Sequence, residues 1–173
     1  MSNRVSDLAS ALIRNINEVP LTRLLREPLY DGQGARLARG TAAQKLGASF
    51  DILAPGKRGC PYHLHHAQEE MFVILEGRGT LRVADEMLPL KTGDVIFIPA
   101  GPEYPHQIIN TSDAPLKYLS ISTMEALKSA STPTRASIWL KVVSSLPRRS
   151  RQLIGGSKAS TTGTVSRDAK LNR

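Results

Sequence analysis

From Leu46 to Ile121 the apolar residues come in short runs broken by clusters of turn formers. The runs are Ala48 to Leu53, Met71 to Leu75, Thr80 to Val83, Met87 to Leu90, Val95 to Ile98, Gln107 to Ile109 and Leu116 to Ile121, and the dividers are PGKRG, EGRG, ADE, KTGD, IPAGPEYP and NTSDAP. Runs of this length between Gly, Pro, Asn and Asp clusters read as β-strands. The gaps after Gly77 are too short for the crossover helix that parallel strands need, so the strands are expected to be antiparallel. Many such strands at even spacing predict an all-β domain, here an antiparallel jelly-roll barrel closed on itself with no exposed edges.

The pattern ahead of the strands is different. Val5, Leu8, Leu12, Ile16 and Val19 recur at intervals of three or four, predicting an amphipathic helix begun by Ser6 or Asp7 and stopped by Pro20. Between Leu21 and Gly40 no period persists, and Pro28, Gly32, Gly34 and Gly40 interrupt the chain, so this stretch is expected to lie on the domain as an arm. The organisation expected is a helix and arm over 1–39, the barrel over 40–123, and a tail over 124–173.

Charge sets the tail apart. Residues 1–123 carry 13 basic and 13 acidic side chains, whereas residues 124–173 carry 10 and 2, so the whole net charge of +8 lies at the end. The tail also holds 14 Ser or Thr and too few apolar residues for a core, which predicts a basic, largely disordered segment with at most a short ordered piece at Ser137 to Leu146. Trp139 is its one aromatic residue, so a stacking surface for nucleic acid is missing and nucleic-acid binding is not expected. No apolar stretch approaches the roughly 18 residues of a membrane span. The first twenty residues lack an apolar core for a secretory signal, and Cys60 is the lone cysteine, so a cytoplasmic setting is expected.

All four histidines fall between residues 63 and 106, three of them in PYHLHHAQEEMF. On a strand His63 and His65 project to the same side and His66 to the other. Glu69 and Glu70 follow at the head of an apolar run, and parity alone does not choose between them. A solvated carboxylate pair is the ordinary reading, yet one carboxylate beside a buried run needs a compensating cation. His106 begins a later strand that an antiparallel arrangement can bring beside the first two histidines. Three imidazoles and a carboxylate make a borderline-hard donor set suited to iron, manganese, nickel or zinc.

At these residues the chain resembles the cupins. Their first motif is matched by Gly56, His63, His65, Glu70 and Gly77, with the gap from Gly56 to His63 one residue longer than the family pattern. Their second is matched by Gly93, Pro99, Gly101, His106 and Asn110, with two extra residues before His106 that place Tyr104 where strict counting puts the histidine. The resemblance implies one divalent transition metal held by His63, His65, Glu70 and His106 in an open cavity. It also implies a metalloenzyme of dioxygenase or isomerase type acting on a small polar organic molecule, and outer sheets that pair as a homodimer. Among Tyr62, Tyr104, Glu69, Glu103 and metal-bound water as candidate general bases, Tyr104 is favoured because its turn immediately precedes a ligand. The alternative is a binding or sensing module without turnover.

Overall fold

The computed structural model describes residues 3–124 and 130–131. In chain order the elements are α1 (Arg4–Leu12), β1 (Thr22–Arg26), β2 (Tyr30–Arg36), β3 (Leu46–Leu53), β4 (Leu64–His65), β5 (Glu70–Glu76), β6 (Arg78–Val83), β7 (Glu86–Lys91), β8 (Val95–Ile98), β9 (His106–Ile109), β10 (Leu116–Thr123) and β11 (Ala130–Ser131). Every strand pair is antiparallel. Apart from β11, the expected tail, including Ser137 to Leu146, lies outside the described residues. No helix among the described residues is long and apolar enough to cross a membrane.

Six strands form one sheet in the order β1-β2-β3-β10-β5-β8, three form a second in the order β7-β6-β9, and β4 pairs with β11. The sheets do not close, which corrects the expected jelly-roll barrel. The seam that would join them is reduced to two isolated bridges, Arg58 to Ile109 and His63 to His106. Pro55 and Pro61 lie in the connecting segment, and a proline offers no N–H to a ladder, so pairing there cannot propagate. β1, β8, β7 and β9 are therefore left as edges.

The core lies between the two sheets. Leu53, Phe72, Ile74, Ile98, Leu116 and Tyr118 meet Leu81, Leu90 and Ile108 from the smaller sheet. Burial of each such side chain is worth about 1.5–3 kcal/mol. The turn from β5 to β6 needs Gly77, whose φ is +90° and whose added Cβ would sit 2.5 Å from the Pro115 carbonyl oxygen.

Two early elements differ from expectation. α1 starts earlier, because the Asn3 side chain accepts the Val5 N–H, and ends at Leu12 instead of reaching Pro20. Beyond it the Asn15 side chain accepts the Asn17 N–H and donates to Glu18, a local turn that competes with helix. The segment from Leu21 to Gly40 contains a hairpin, β1 and β2, that extends the large sheet through β3.

Asn110 locks the strand ends together. It is fully buried, its amide donates to the carbonyls of Leu53 (3.0 Å) and Ala114 (2.8 Å), and its oxygen accepts from the Ser112 N–H and hydroxyl. Asn110→Ala would leave these groups unpaired, so chemical denaturation should show a loss of about 2–4 kcal/mol. A loss below about 0.5 kcal/mol, the range of ordinary surface changes, would show that the network is dispensable.

Candidate metal centre

β4 and the residue before it place His63 and His65 on one side, while Leu64, 2% exposed, projects to the other. His63 and His106 then meet as an antiparallel pair, the His63 N–H reaching the His106 oxygen at 3.1 Å and the His106 N–H reaching the His63 oxygen at 2.7 Å. Glu70 opens β5 on the same face as the buried Phe72 and Ile74. One ligand atom from each of His63, His65, Glu70 and His106 lies within 4.8 Å of every other. Glu69, in contrast, is exposed, and its backbone is tied to Thr123.

The imidazoles are held in defined orientations. His63 Nδ1 lies 2.9 Å from the Pro61 carbonyl oxygen and His106 Nδ1 lies 3.0 Å from that of Tyr104. A carbonyl only accepts, so both Nδ1 atoms carry a proton, and each inward Nε2 is then a donor toward Glu70 when it too is protonated and a free lone pair for a metal when it is not. There His106 Nε2 meets Glu70 Oε2 at 2.7 Å, His65 Nε2 meets the same oxygen at 3.3 Å, and His63 Nε2 meets His65 Nε2 at 3.0 Å. Lone pairs this close repel unless a positive charge lies between them, so the donor set fits a cation. Three imidazoles and a carboxylate form a candidate site for one divalent transition metal.

Burial, followed by the neighbouring His106 charge, pushes the His63 pKa down and favours the neutral ring that ligation needs. Burial raises the Glu70 pKa, but the His106 hydrogen bond and the charges of His65, His106 and His63 outweigh it and hold the carboxyl below its ordinary value. His65 Nδ1 is buried without a hydrogen-bond partner. Cys60 Sγ lies 3.6 Å from His63 Nδ1, yet burial and then the charges of Glu70 and Asp51 push the thiol up to about 12, which keeps it protonated and a poor ligand.

The structure does not draw the tyrosines into this cluster. The Tyr104 phenol is on an exposed side chain and only its carbonyl meets the site, through His106. The Tyr62 hydroxyl accepts the Asp85 N–H, and the Arg82 guanidinium lies over its ring at 4.0 Å. Glu103 is exposed. Sequence reasoning passed over Asp51, a partly buried carboxylate in β3, although a charge inside the apolar run SFDIL was a visible signal.

The family model described as Cupin domain matches residues 49–122. Residues 49–122 are a cupin domain. Among solved cupin structures, a sugar phosphate isomerase from Silicibacter pomeroyi is 27% identical with a TM-score of 0.56, over 59% of this chain and 65% of that one. A putative sugar phosphate isomerase from Acidithiobacillus ferrooxidans, 24% identical, has the same fold at a TM-score of 0.64, over 72% of this chain and 81% of that one. An uncharacterized protein of Methanocaldococcus jannaschii is 45% identical over 35% of this chain and 46% of its own. The glucose-6-phosphate isomerase of Pyrococcus abyssi is 30% identical over 47% and 48%. The chain thus spans about half the length of these curated relatives.

Metal analysis of purified protein separates the two adjacent carboxylates. Glu70→Gln should lower metal affinity by more than the roughly 10–100-fold typical of losing an outer partner, and Glu69→Gln should leave it unchanged. Metal retained in the first variant and lost in the second would reverse the assignment.

Proposed function

We propose that this cupin is a metalloenzyme acting on a small polar organic molecule, with His63, His65, Glu70 and His106 holding one iron, manganese, nickel or zinc ion. The observation that carries this reading is the convergence of the His65 and His106 Nε2 atoms on one Glu70 oxygen, with His63 Nε2 against that of His65, an arrangement that a shared cation stabilises. When bound, such an ion supplies Lewis acidity toward a hydroxyl or carbonyl oxygen. The protein's own contribution is orientation: Pro61 and Tyr104 fix two rings through their carbonyls, and burial excludes water from His106. Of the two reaction types, isomerisation is favoured over dioxygenation by the names of the similar proteins, which include sugar phosphate isomerases. Tyr104 remains a proton-transfer candidate only if its exposed phenol swings inward when a ligand binds.

The test is metal removal. A chelator should abolish aldose–ketose interconversion of a sugar phosphate, and a divalent metal should restore it. Full turnover by metal-free protein would remove the proposal, and ligand binding without turnover by metal-loaded protein would favour a sensing module.

We also propose a homodimer in the cytoplasm, the location resting on the unpaired Cys60 thiol. Phe97 is 72% exposed on the edge strand β8, near the exposed Val95 and in register with Met71, while Leu25 is exposed on β1 at the other edge of the same sheet. An apolar sheet surface of this kind suits isologous pairing. Sedimentation at micromolar concentration should show twice the 18.8 kDa chain mass, and Phe97→Asp should shift it to the monomer. A native protein sedimenting only as monomer would reject the dimer.

A further inference from the structure

The segment that carries the first histidine bulges away from β9. Between the bridges Arg58 to Ile109 and His63 to His106, the four residues Gly59 to Tyr62 lie opposite two, Gln107 and Ile108. Inside this interval the Gly59 N–H reaches the Ile108 carbonyl oxygen at 3.0 Å, and Pro61 has no N–H with which to continue the pairing.

A side chain takes the place of the missing ladder. Gln107 is 1% exposed, and its amide nitrogen donates to the Cys60 carbonyl oxygen at 2.6 Å. The far end of the bulge is held by other groups: the Tyr62 hydroxyl accepts the Asp85 N–H, and the Arg82 guanidinium lies over the Tyr62 ring. Gln107 Oε1, in contrast, is buried without a hydrogen-bond partner among the described residues. An apolar side chain of the same length would fill the place without bringing an unpaired acceptor into the interior. What glutamine adds is the N–H that the Cys60 carbonyl receives.

The consequence reaches His63. The Cys60 carbonyl belongs to the planar peptide unit that ends at the Pro61 nitrogen, and the Pro61 ring fixes φ at about −65°. With that plane held, ψ of Pro61 is the one rotation left to direct the Pro61 carbonyl. That carbonyl lies 2.9 Å from His63 Nδ1 and so decides which ring nitrogen turns toward the cluster. Strand β9 thus presents His106 to the cluster on one side and, from the next residue, a brace for His63 on the other.

We propose that Gln107 is a positioning residue for the metal centre: through the Cys60 carbonyl and Pro61 it holds the His63 ring with Nε2 inward. The effect on metal binding rests on the metalloenzyme reading, whereas the ring orientation is a property of the metal-free chain.

The test compares the native full chain with Gln107→Met, which keeps the length of the side chain and removes the donor. In metal-free protein at a fixed alkaline pH, long-range proton–nitrogen NMR should find His63 protonated at Nδ1. Gln107→Met should show a mixture with the Nε2-protonated form. Its affinity for cobalt(II) should fall about tenfold or more, and the visible spectrum of the cobalt-loaded protein should shift. Leu90→Ala, a core change on β7, two strands from β9, should keep the native His63 form, cobalt affinity and spectrum.

A native His63 form and native cobalt affinity in Gln107→Met would overturn the proposal, and so would an equal loss in Leu90→Ala, which would mark general loosening of the fold. If Gln107→Met does not fold, Pro61→Ala, which frees φ at an exposed position, should give the same mixture of ring forms, and an unchanged ring there would overturn the proposal. Native protein that binds neither cobalt nor zinc would end the metalloenzyme reading, while the NMR comparison would still decide the role of Gln107. Tight cobalt binding by native protein and variant alike, with His63 unchanged, would remove this inference and leave the metal site standing.

Discussion

One carboxylate oxygen, Glu70 Oε2, lies 2.7 Å from the Nε2 of His106 and 3.3 Å from that of His65, and the rest of the structure serves that contact. Left without a positive charge between them, these lone pairs would drive the strands carrying them apart. β5, β9 and the short β4 are nevertheless held together by independent forces: the core between the sheets, the reciprocal His63 and His106 backbone bonds, and the carbonyls that orient two rings. The fold thus imposes a donor set that the side chains alone would not choose, which makes the cluster a candidate site for a divalent metal.

Open sheets change how the site is reached. A closed barrel would surround the cluster on every side, whereas here three strands cover part of a six-stranded sheet and leave the remainder of its inner face uncovered. The glycines and serines on that remainder keep the face from filling with its own side chains. Packing is given up at one end of the domain and retained at the other, where Leu116 is 0% and Ile74 1% exposed.

The strands from β3 onward were legible because their apolar runs and turn residues agree. All seven runs became strands, and the His63-x-His65 spacing together with a later His106 pointed to the residues the fold brings together. β2 was not legible, since the glycines of YDGQGAR remove the side chains that alternation would reveal. The helix was over-extended because periodicity continued through Ile16 while the local Asn15 turn won. Closure was misjudged because strand number says nothing about seams: whether the last pairings form depended on prolines in the connecting segment. The choice between Glu69 and Glu70 required a knowledge of which face of β5 is buried, and Phe72 and Ile74 supply it.

Asp51 shows why the inner face stays partly hidden from sequence. Strand alternation groups it with the buried Leu53, but a lone carboxylate is ordinarily read as solvated, so the run signals the residue without revealing that it is enclosed. The register instead pairs it with Tyr118, whose hydroxyl is pushed well above its usual range by burial and then by the Asp51 charge. Burial likewise raises the pKa of Asp51 itself, with the Ser49 hydroxyl opposing the shift. A carboxylate in such surroundings is costly to the fold, and replacement by an apolar residue of similar volume would relieve that cost. Whether a polar residue is enclosed is thus a property of packing that local sequence pattern does not encode.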